Sequence, residues 1–338
     1  VTTLVLVGGF LGAGKTTLLL AAAERLKAAG KRAGVILNDQ GAHLVDTEFA
    51  AASGFAADEV PGGCFCCRFS DFASRAARLS ERAPDIILAE PVGSCTDLAA
   101  TVLRPLRERY RARFRVAPLT VLVDPERELA DADLDYLFRK QIAEADIVLY
   151  SKADKLRRPD SRCVSAHTGE GLDDWLAEVL SSDCTAQRRL ALDYRRYARA
   201  ERALGWLNWH AALSAHRALT PAAVAGTLLE RMDALLNSVV HLKVFVQGAG
   251  GYVKAGICRN GEQPAVDGRL DAPPSRRHRI VLNARAAAPP GALDAAVGEA
   301  ALALPGRVRV EYKECFRPAA PKPEHRLQEV PCESPDAN

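Results

Sequence analysis

The stretch from Thr3 to Thr17 constrains this chain more than any other. An apolar run, TLVLV, passes through Gly8 into GFLGAGKT (residues 9–16), and helical periodicity follows. A G-x-x-x-x-G-K-[ST] segment between a strand and a helix reads as a phosphate-binding loop. Glycines let successive backbone N–H groups turn toward phosphate oxygens, and the helix N-terminus adds partial positive charge. Gly9, Gly12, Ala13 and Gly14 are expected to form the cradle. Lys15 would reach the β- and γ-phosphates, the Thr16 hydroxyl would ligate Mg²⁺, and Thr17 would complete the nucleotide contacts.

The strand rhythm continues in GVILND (34–39), DIILAE (85–90), LTVLVD (119–124) and DIVLYS (146–151), with helical stretches over 70–83, 96–113 and 135–144 between them. Strands apolar nearly throughout are buried on both faces, as in parallel sheets. Residues 1–182 therefore predict an α/β P-loop NTPase domain with a doubly wound, mainly parallel sheet. A chain of 338 residues has room for a second core. The Arg-rich segment 183–202 reads as a linker. Beyond it, 203–317 predicts a smaller α+β domain. LGWLNWHAAL is a strand, and 220–238 is a helix with Thr220 as N-cap and Pro221 at its first position. VVHLKVFVQ and GYVKAGICR pair across GAGG, and another strand, helix and strand follow. Two helices crossing between strands suggest a split βαβ, ferredoxin-like sheet with one extra strand. The proline-rich tail 318–338 is expected to be extended or disordered.

A formal net charge of +3, with 48% hydrophobic and 26% charged residues, is that of an ordinary globular chain and argues against nucleic acid or an anionic membrane as partner. No apolar run reaches the roughly 18–20 residues of a membrane span, and no secretory leader is legible. A cytoplasmic location is expected. The stretch QRRLALDYRRYARAERALG interleaves Arg with Tyr and, at this net charge, reads as a solvated helix face.

Ser151-Lys152-Ala153-Asp154 follows DIVLY, where base recognition is expected. The Asp154 carboxylate can accept two hydrogen bonds from the guanine N1–H and amine, which adenine does not offer. Ser165 and Ala166 precede HTGEGL, and a backbone N–H there can meet guanine O6. GTP is thus favoured over ATP. Ser151 stands where Asn is commoner, which weakens the brace on this loop. Two acidic strand ends, Asp39 and Glu90, are placed to hold Mg²⁺ directly or through water. Glu90-Pro-Val-Gly93 has the form E-x-x-G, so the Gly93 N–H can sense the γ-phosphate. Lys15 and Glu90 are the expected catalytic residues. No catalytic base is evident, so hydrolysis to GDP is expected to be slow.

GGCFCCRF (62–69) crowds Cys64, Cys66 and Cys67 together in a chain with nine cysteines. Three soft thiolates on a glycine-led loop favour Zn²⁺, Co²⁺ or Cu⁺ and leave a tetrahedral ion one open position. Cys95 reads as packing, His43 and His167 as surface residues, and Cys315, His325 and Cys332 as unfixed. A buried trio of small hydrophobes and a redox pair are the competing readings of the thiols.

GGFLGAGKTTLL, GGCFCC, ILAEPVGS and SKAD occur in the order and spacing of the CobW-type GTPases, relatives of the HypB and UreG metallochaperones, which residues 1–182 resemble. The resemblance implies slow GTP hydrolysis coupled to holding or delivering a transition metal. It implies Cys64, Cys66 and Cys67 as zinc or cobalt ligands, with Glu59 as the acidic residue ahead of them. It also implies a metal-requiring client that is cobalamin- or zinc-related. LNDQGAHLVDT (37–47) departs from the family pattern, and no histidine-rich segment is present. A redox-responsive GTPase switch and an ATP-dependent P-loop kinase or transferase are the alternative functions.

Overall fold

The computed structural model describes all residues except 42–43, 56, 83, 185–189 and 328–338. The first sheet comprises β1 (Thr2–Gly9), β2 (Ala33–Asn38), β3 (Ala57–Val60), β4 (Ile86–Ala89), β5 (Phe114–Val116), β6 (Thr120–Val123) and β7 (Ile147–Tyr150). The order is β3-β2-β4-β1-β6-β7, with β5 beside the start of β1, and every pairing is parallel. Helices α1 (Lys15–Ala28), α2 (Val45–Ala52), α3 (Phe69–Ser80), α4 (Arg104–Arg109, entered through a π-turn at Ala99–Leu103), α5 (Ala132–Glu144) and α6 (Leu172–Ser181) return the chain between strands. The apolar runs are continuous because both faces are covered. Leu4, Leu6, Ile36 and Ile87 enter one core, and Val5, Val7, Val35 and Leu88 enter the other.

The second sheet is antiparallel: β8 (Gly205–Leu219), β9 (Val239–Gly248), β10 (Gly251–Ile257), β11 (Ala265–Gly268), β12 (Ser275–Ala286) and β13 (Gly306–Phe316). Its order is β11-β10-β9-β12-β8-β13. Helices α8 (Pro221–Leu235) and α9 (Pro290–Leu302) bury Leu228, Met232, Leu293 and Val297 against one face. The run β9-β12-β8-β13 is the split βαβ order expected. Two strands are added to it rather than one, because the four-residue β11 carries too little apolar pattern to be read from sequence.

The connecting segment is more ordered than a plain linker. It contains α7 (Tyr194–Ala203), capped by the Asp193 carboxylate accepting from the Arg195 and Arg196 amides. Tyr197 and Ala200 are buried in the first domain's core, and Arg196 and Arg199 pair with Asp133. Only the arginine side of this helix is a solvated face. Residues 318–327 of the tail carry no regular secondary structure, and they pack across the start of α3. Glu324 accepts from the Ser70 amide at 2.9 Å and hydroxyl at 2.6 Å, and Arg326 donates to Asp97 at 2.8 Å. His43 and Cys332 lie outside the described residues. Among the described residues, no helix is long and apolar enough to cross a membrane.

Candidate functional site

The phosphate loop follows from local chemistry. Gly12 and Gly14 have φ of 80° and 87°, a region other residues enter at a cost, and Gly14 caps α1 in that conformation. The Lys15 ammonium donates to the Phe10 carbonyl at 3.3 Å and lies 3.6 Å from Glu90. Thr16 Oγ1 donates to Glu90 Oε2 at 2.7 Å. A hydroxyl and a carboxylate side by side at a phosphate loop are the hard oxygen donors that Mg²⁺ takes alongside phosphate, so these residues fit that ion. Burial raises the Glu90 carboxyl, against the pull of Lys15, and burial lowers the Lys15 ammonium.

An open cavity joins this loop to the expected base-recognition loop. Gly12, Gly14, Lys15, Thr16, Thr17, Glu90, Ser151, Lys152, Asp154 and Ala166 line it. Lys152 is held by Asp124 at 2.7 Å, and Ser151 Oγ donates to the Val123 carbonyl at 3.3 Å. Ser165 does not line the cavity but orients its base end: its hydroxyl donates to Asp154 at 2.5 Å. Partial desolvation opposes ionisation of Asp154, but the Ser165 hydrogen bond, its own backbone amide and the nearby charges of His167 and Lys155 together outweigh it, so the carboxyl sits below its ordinary value. Gly9 and Ala13 shape the loop without lining the cavity. Gly93 is also absent from the wall. Its carbonyl accepts from Gln141 Nε2 at 2.9 Å, and a Cβ on it would come within 2.8 Å of Leu11.

Two expected ligands are placed elsewhere. Asp39 does not line the cavity, and both its oxygens accept from Arg285 of β12, at 2.8 and 2.9 Å. A buried guanidinium from the second domain holds this strand-end carboxylate. Glu59 is not grouped with the thiols, since it accepts from Thr47 Oγ1 at 2.7 Å, within the first domain. Burial raises its carboxyl above the ordinary value.

The sequence reading missed the far wall of the cavity, which the second domain supplies. His241 and Lys243 of β9, Lys254 and Gly256 of β10, and Cys258 just after β10 line it. A Cβ on Gly12 would meet Cys258 Sγ at 2.5 Å, so the two domains approach closely at the phosphate loop. Arg127 ties them by donating to the Leu11 and Cys258 carbonyls at 2.8 and 3.0 Å. Helix α2 lies between the domains. Asp46 accepts from Lys243 at 2.6 Å and lies 3.7 Å from Lys254, Glu48 pairs with Arg279, and the Val45 amide donates to Asn283 at 2.8 Å. The available signal was a His and a Lys two apart in an otherwise apolar strand, VVHLKVFVQ, which period two puts on one face.

Cys64, Cys66 and Cys67 sit in the loop between β3 and α3, with their sulfurs all within 4.8 Å of one another. Asn38 at the end of β2 fixes this loop. Its amide donates to the Val60 and Gly63 carbonyls at 2.7 Å each, and its carbonyl accepts from the Phe65 amide at 2.9 Å. Cys66 Sγ lies 3.8 Å from Cys67 Sγ and 3.7 Å from Cys95 Sγ. Zn–S bonds of about 2.3 Å imply a tetrahedral edge of about 3.8 Å, so the donors fit a thiolate-bound Zn²⁺. Cys95, expected to pack, is buried in the first domain's core and approaches Cys66 from outside the three-sulfur group. Hydrogen bonding among the sulfurs, then burial, pushes Cys66 well up and Cys67 up to about 11, whereas bonding with Cys64 and Cys66 lowers Cys95 to about 6. The Lys322 amide donates to Cys67 Sγ at 3.1 Å, so the tail crosses the rim of the cluster.

A parallel sheet, a phosphate loop and a guanine-type S-K-x-D loop define a P-loop NTPase of the GTP-binding class. Residues 3–169 match the CobW/HypB/UreG nucleotide-binding domain, and this first domain is a CobW-type P-loop domain. It is 31% identical over 157 residues to the zinc chaperone YeiR of Escherichia coli, covering 44% of this chain and 46% of that one. It is 30% identical over 184 residues to the zinc chaperone CobW of Pseudomonas aeruginosa, covering 45% and 48%. The chain thus spans about half the length of the curated relatives it matches. HypB from Helicobacter pylori, solved in complex with nickel, is a looser likeness: 19% identity, TM-score 0.38, 53% of this chain and 86% of that one.

Proposed function

We propose that this protein binds and hydrolyses GTP and uses the nucleotide state to govern a transition metal, zinc before cobalt, held by Cys64, Cys66 and Cys67 for delivery to a metal-requiring client. The observation that carries the reading is the gathering of the three sulfurs within 4.8 Å on the loop that follows β3. That loop is reached from helix α2, whose Asp46 holds the cavity-lining Lys243, through the Thr47–Glu59 hydrogen bond. The names of the matched relatives, both zinc chaperones, favour zinc. Bound Mg²⁺ would neutralise phosphate charge, and Thr16 and Glu90 are the residues to hold it. Lys15 and the loop amides bind the phosphates, and Asp154 selects guanine. The fourth coordination position of the cargo ion is open to water, to a client side chain or to Cys95, and an open position suits release. All eight described cysteines are free, in keeping with a reducing cytoplasm.

The test is zinc affinity by competition with a chromophoric chelator, for wild type and for a Cys64/Cys66/Cys67→Ser triple variant, each with GDP and with a non-hydrolysable GTP analogue. The reading expects tight binding lost in the variant and a wild-type affinity that differs between nucleotides. Equal affinity in both nucleotide states would sink the coupling. A second reading, a redox switch, draws on the 3.7 Å approach of Cys95 to Cys66. Mass spectrometry after mild oxidant, showing a Cys66–Cys95 disulfide that alters GTP turnover, would favour it.

A further inference from the structure

We propose that Lys243 and Lys254 of the second domain complete the binding site for the outer phosphates of the nucleotide, with Asp46 of α2 as the internal anion that holds them when no phosphate is there. This rests on the GTP-binding reading above.

Three observations lead to it. Both lysines line the same cavity as Lys15, Thr16 and Glu90, although they belong to the other domain. Neither is a solvated surface cation: the side chains are 16% and 7% exposed, on a sheet that would bury apolar residues there at less cost. Their shared partner is poorly matched to them. Asp46 accepts from Lys243 at 2.6 Å, while its other oxygen, Oδ1, is buried without a hydrogen bond, 3.7 Å from Lys254. Lys254 also lies 3.4 Å from Asp267. An arrangement that served only stability would satisfy that oxygen, since a buried acceptor left unpaired costs about 1–3 kcal/mol.

Phosphate supplies what the arrangement lacks. Lysines bind phosphate oxygens as compact point charges, and a phosphate loop directs the β- and γ-phosphates to the Lys15 end, where Lys243 also lies. A γ-phosphate there competes with Asp46 for the ammonium groups. Nothing covalent changes; the lysines exchange one anion for another. Because Asp46 is on α2, whose Thr47 holds Glu59, losing its lysine partners frees the segment that leads to the cysteine loop. By linkage, the same exchange makes the docking of the two domains sensitive to the nucleotide.

The experiment measures affinities of full-length protein for GDP and for a non-hydrolysable GTP analogue, in wild type, Lys243→Ala, and the Lys243→Ala/Asp46→Asn pair. The pair keeps the interface free of an uncompensated carboxylate, so that a folding defect in the single variant does not decide the outcome. The inference expects both variants to lose analogue affinity by about ten- to a hundredfold, as a charged hydrogen bond is worth, with GDP affected clearly less. Recovery of wild-type analogue affinity in the pair would overturn it, because Lys243 would then serve only to neutralise Asp46. An unchanged preference between the nucleotides in both variants would overturn it as well. Failure of wild type to bind either nucleotide would instead overturn the GTP reading, and this inference with it.

Discussion

Arg285 donates to both carboxylate oxygens of Asp39 from a position 2% exposed, joining the end of β2 in one domain to β12 in the other. The guanidinium also donates to the Leu207 carbonyl and lies over the Trp206 ring, so it is fixed from several sides. This pair gives the strand-end carboxylate that was expected to hold Mg²⁺ a protein partner in the other domain.

Asp39→Ala would leave a buried, uncompensated guanidinium. It should destabilise the protein by about 3–5 kcal/mol, the usual cost of breaking a buried ion pair from one side. Chemical denaturation measures this. The Mg²⁺ dependence of nucleotide binding should be unchanged, and a stable variant with weakened Mg²⁺ binding would reverse the assignment.

Asp154→Ala should remove the guanine-selective acceptor held by Ser165. GTP affinity should fall by about ten- to a hundredfold while ATP affinity stays level. Parallel titrations with fluorescent analogues of both nucleotides read the ratio. An equal loss for both would place the base elsewhere.

Metal binding should tighten as pH rises. Hydrogen bonding to Cys64, with burial, keeps the Cys67 thiol protonated up to about pH 11, so binding as thiolate near neutrality must release its proton. Each proton released makes apparent affinity about tenfold tighter per pH unit. Competition titrations at pH 6.5, 7.5 and 8.5, with proton release followed in weak buffer, check this sign. A flat profile would mean that the thiols are already ionised.

Glu144 gives a stability test independent of ligands. Burial raises its carboxyl from an ordinary 4.5 to about 8, although the Thr96 hydroxyl donates to it at 2.9 Å. Between those values the folded state holds a proton that the unfolded chain has lost, so stability falls as pH rises through the window. Glu144→Gln should unfold at a higher temperature than wild type at pH 8, with the difference shrinking toward pH 4.5. Identical pH profiles in thermal melts would show that Glu144 is charged when folded.

The parallel sheet was legible because strands buried on both faces are apolar at every position, and the phosphate loop because its glycines and lysine are local in sequence. The thiol cluster was legible in part. Cys64, Cys66 and Cys67 announce themselves by spacing, but Cys95 reaches Cys66 from a different loop, and no pattern records that approach. Asp39 and Glu59 look like free carboxylates until Arg285 and Thr47 are seen to hold them. Lys243 and Lys254 were hidden for the same reason: a lysine in a strand reveals its face, not which domain lies opposite. The short β11 and the helix within the arginine-rich connector were obscured by weak or polar composition, which tertiary contacts overrode.

The strap laid by residues 318–327 has a practical corollary. Cys67 is the half-buried sulfur of its group, and the amide of Lys322 sits on it. Its rate of alkylation therefore becomes a gauge of how often the strap lifts, and a thiol label read over time would follow cargo-site opening without any metal present.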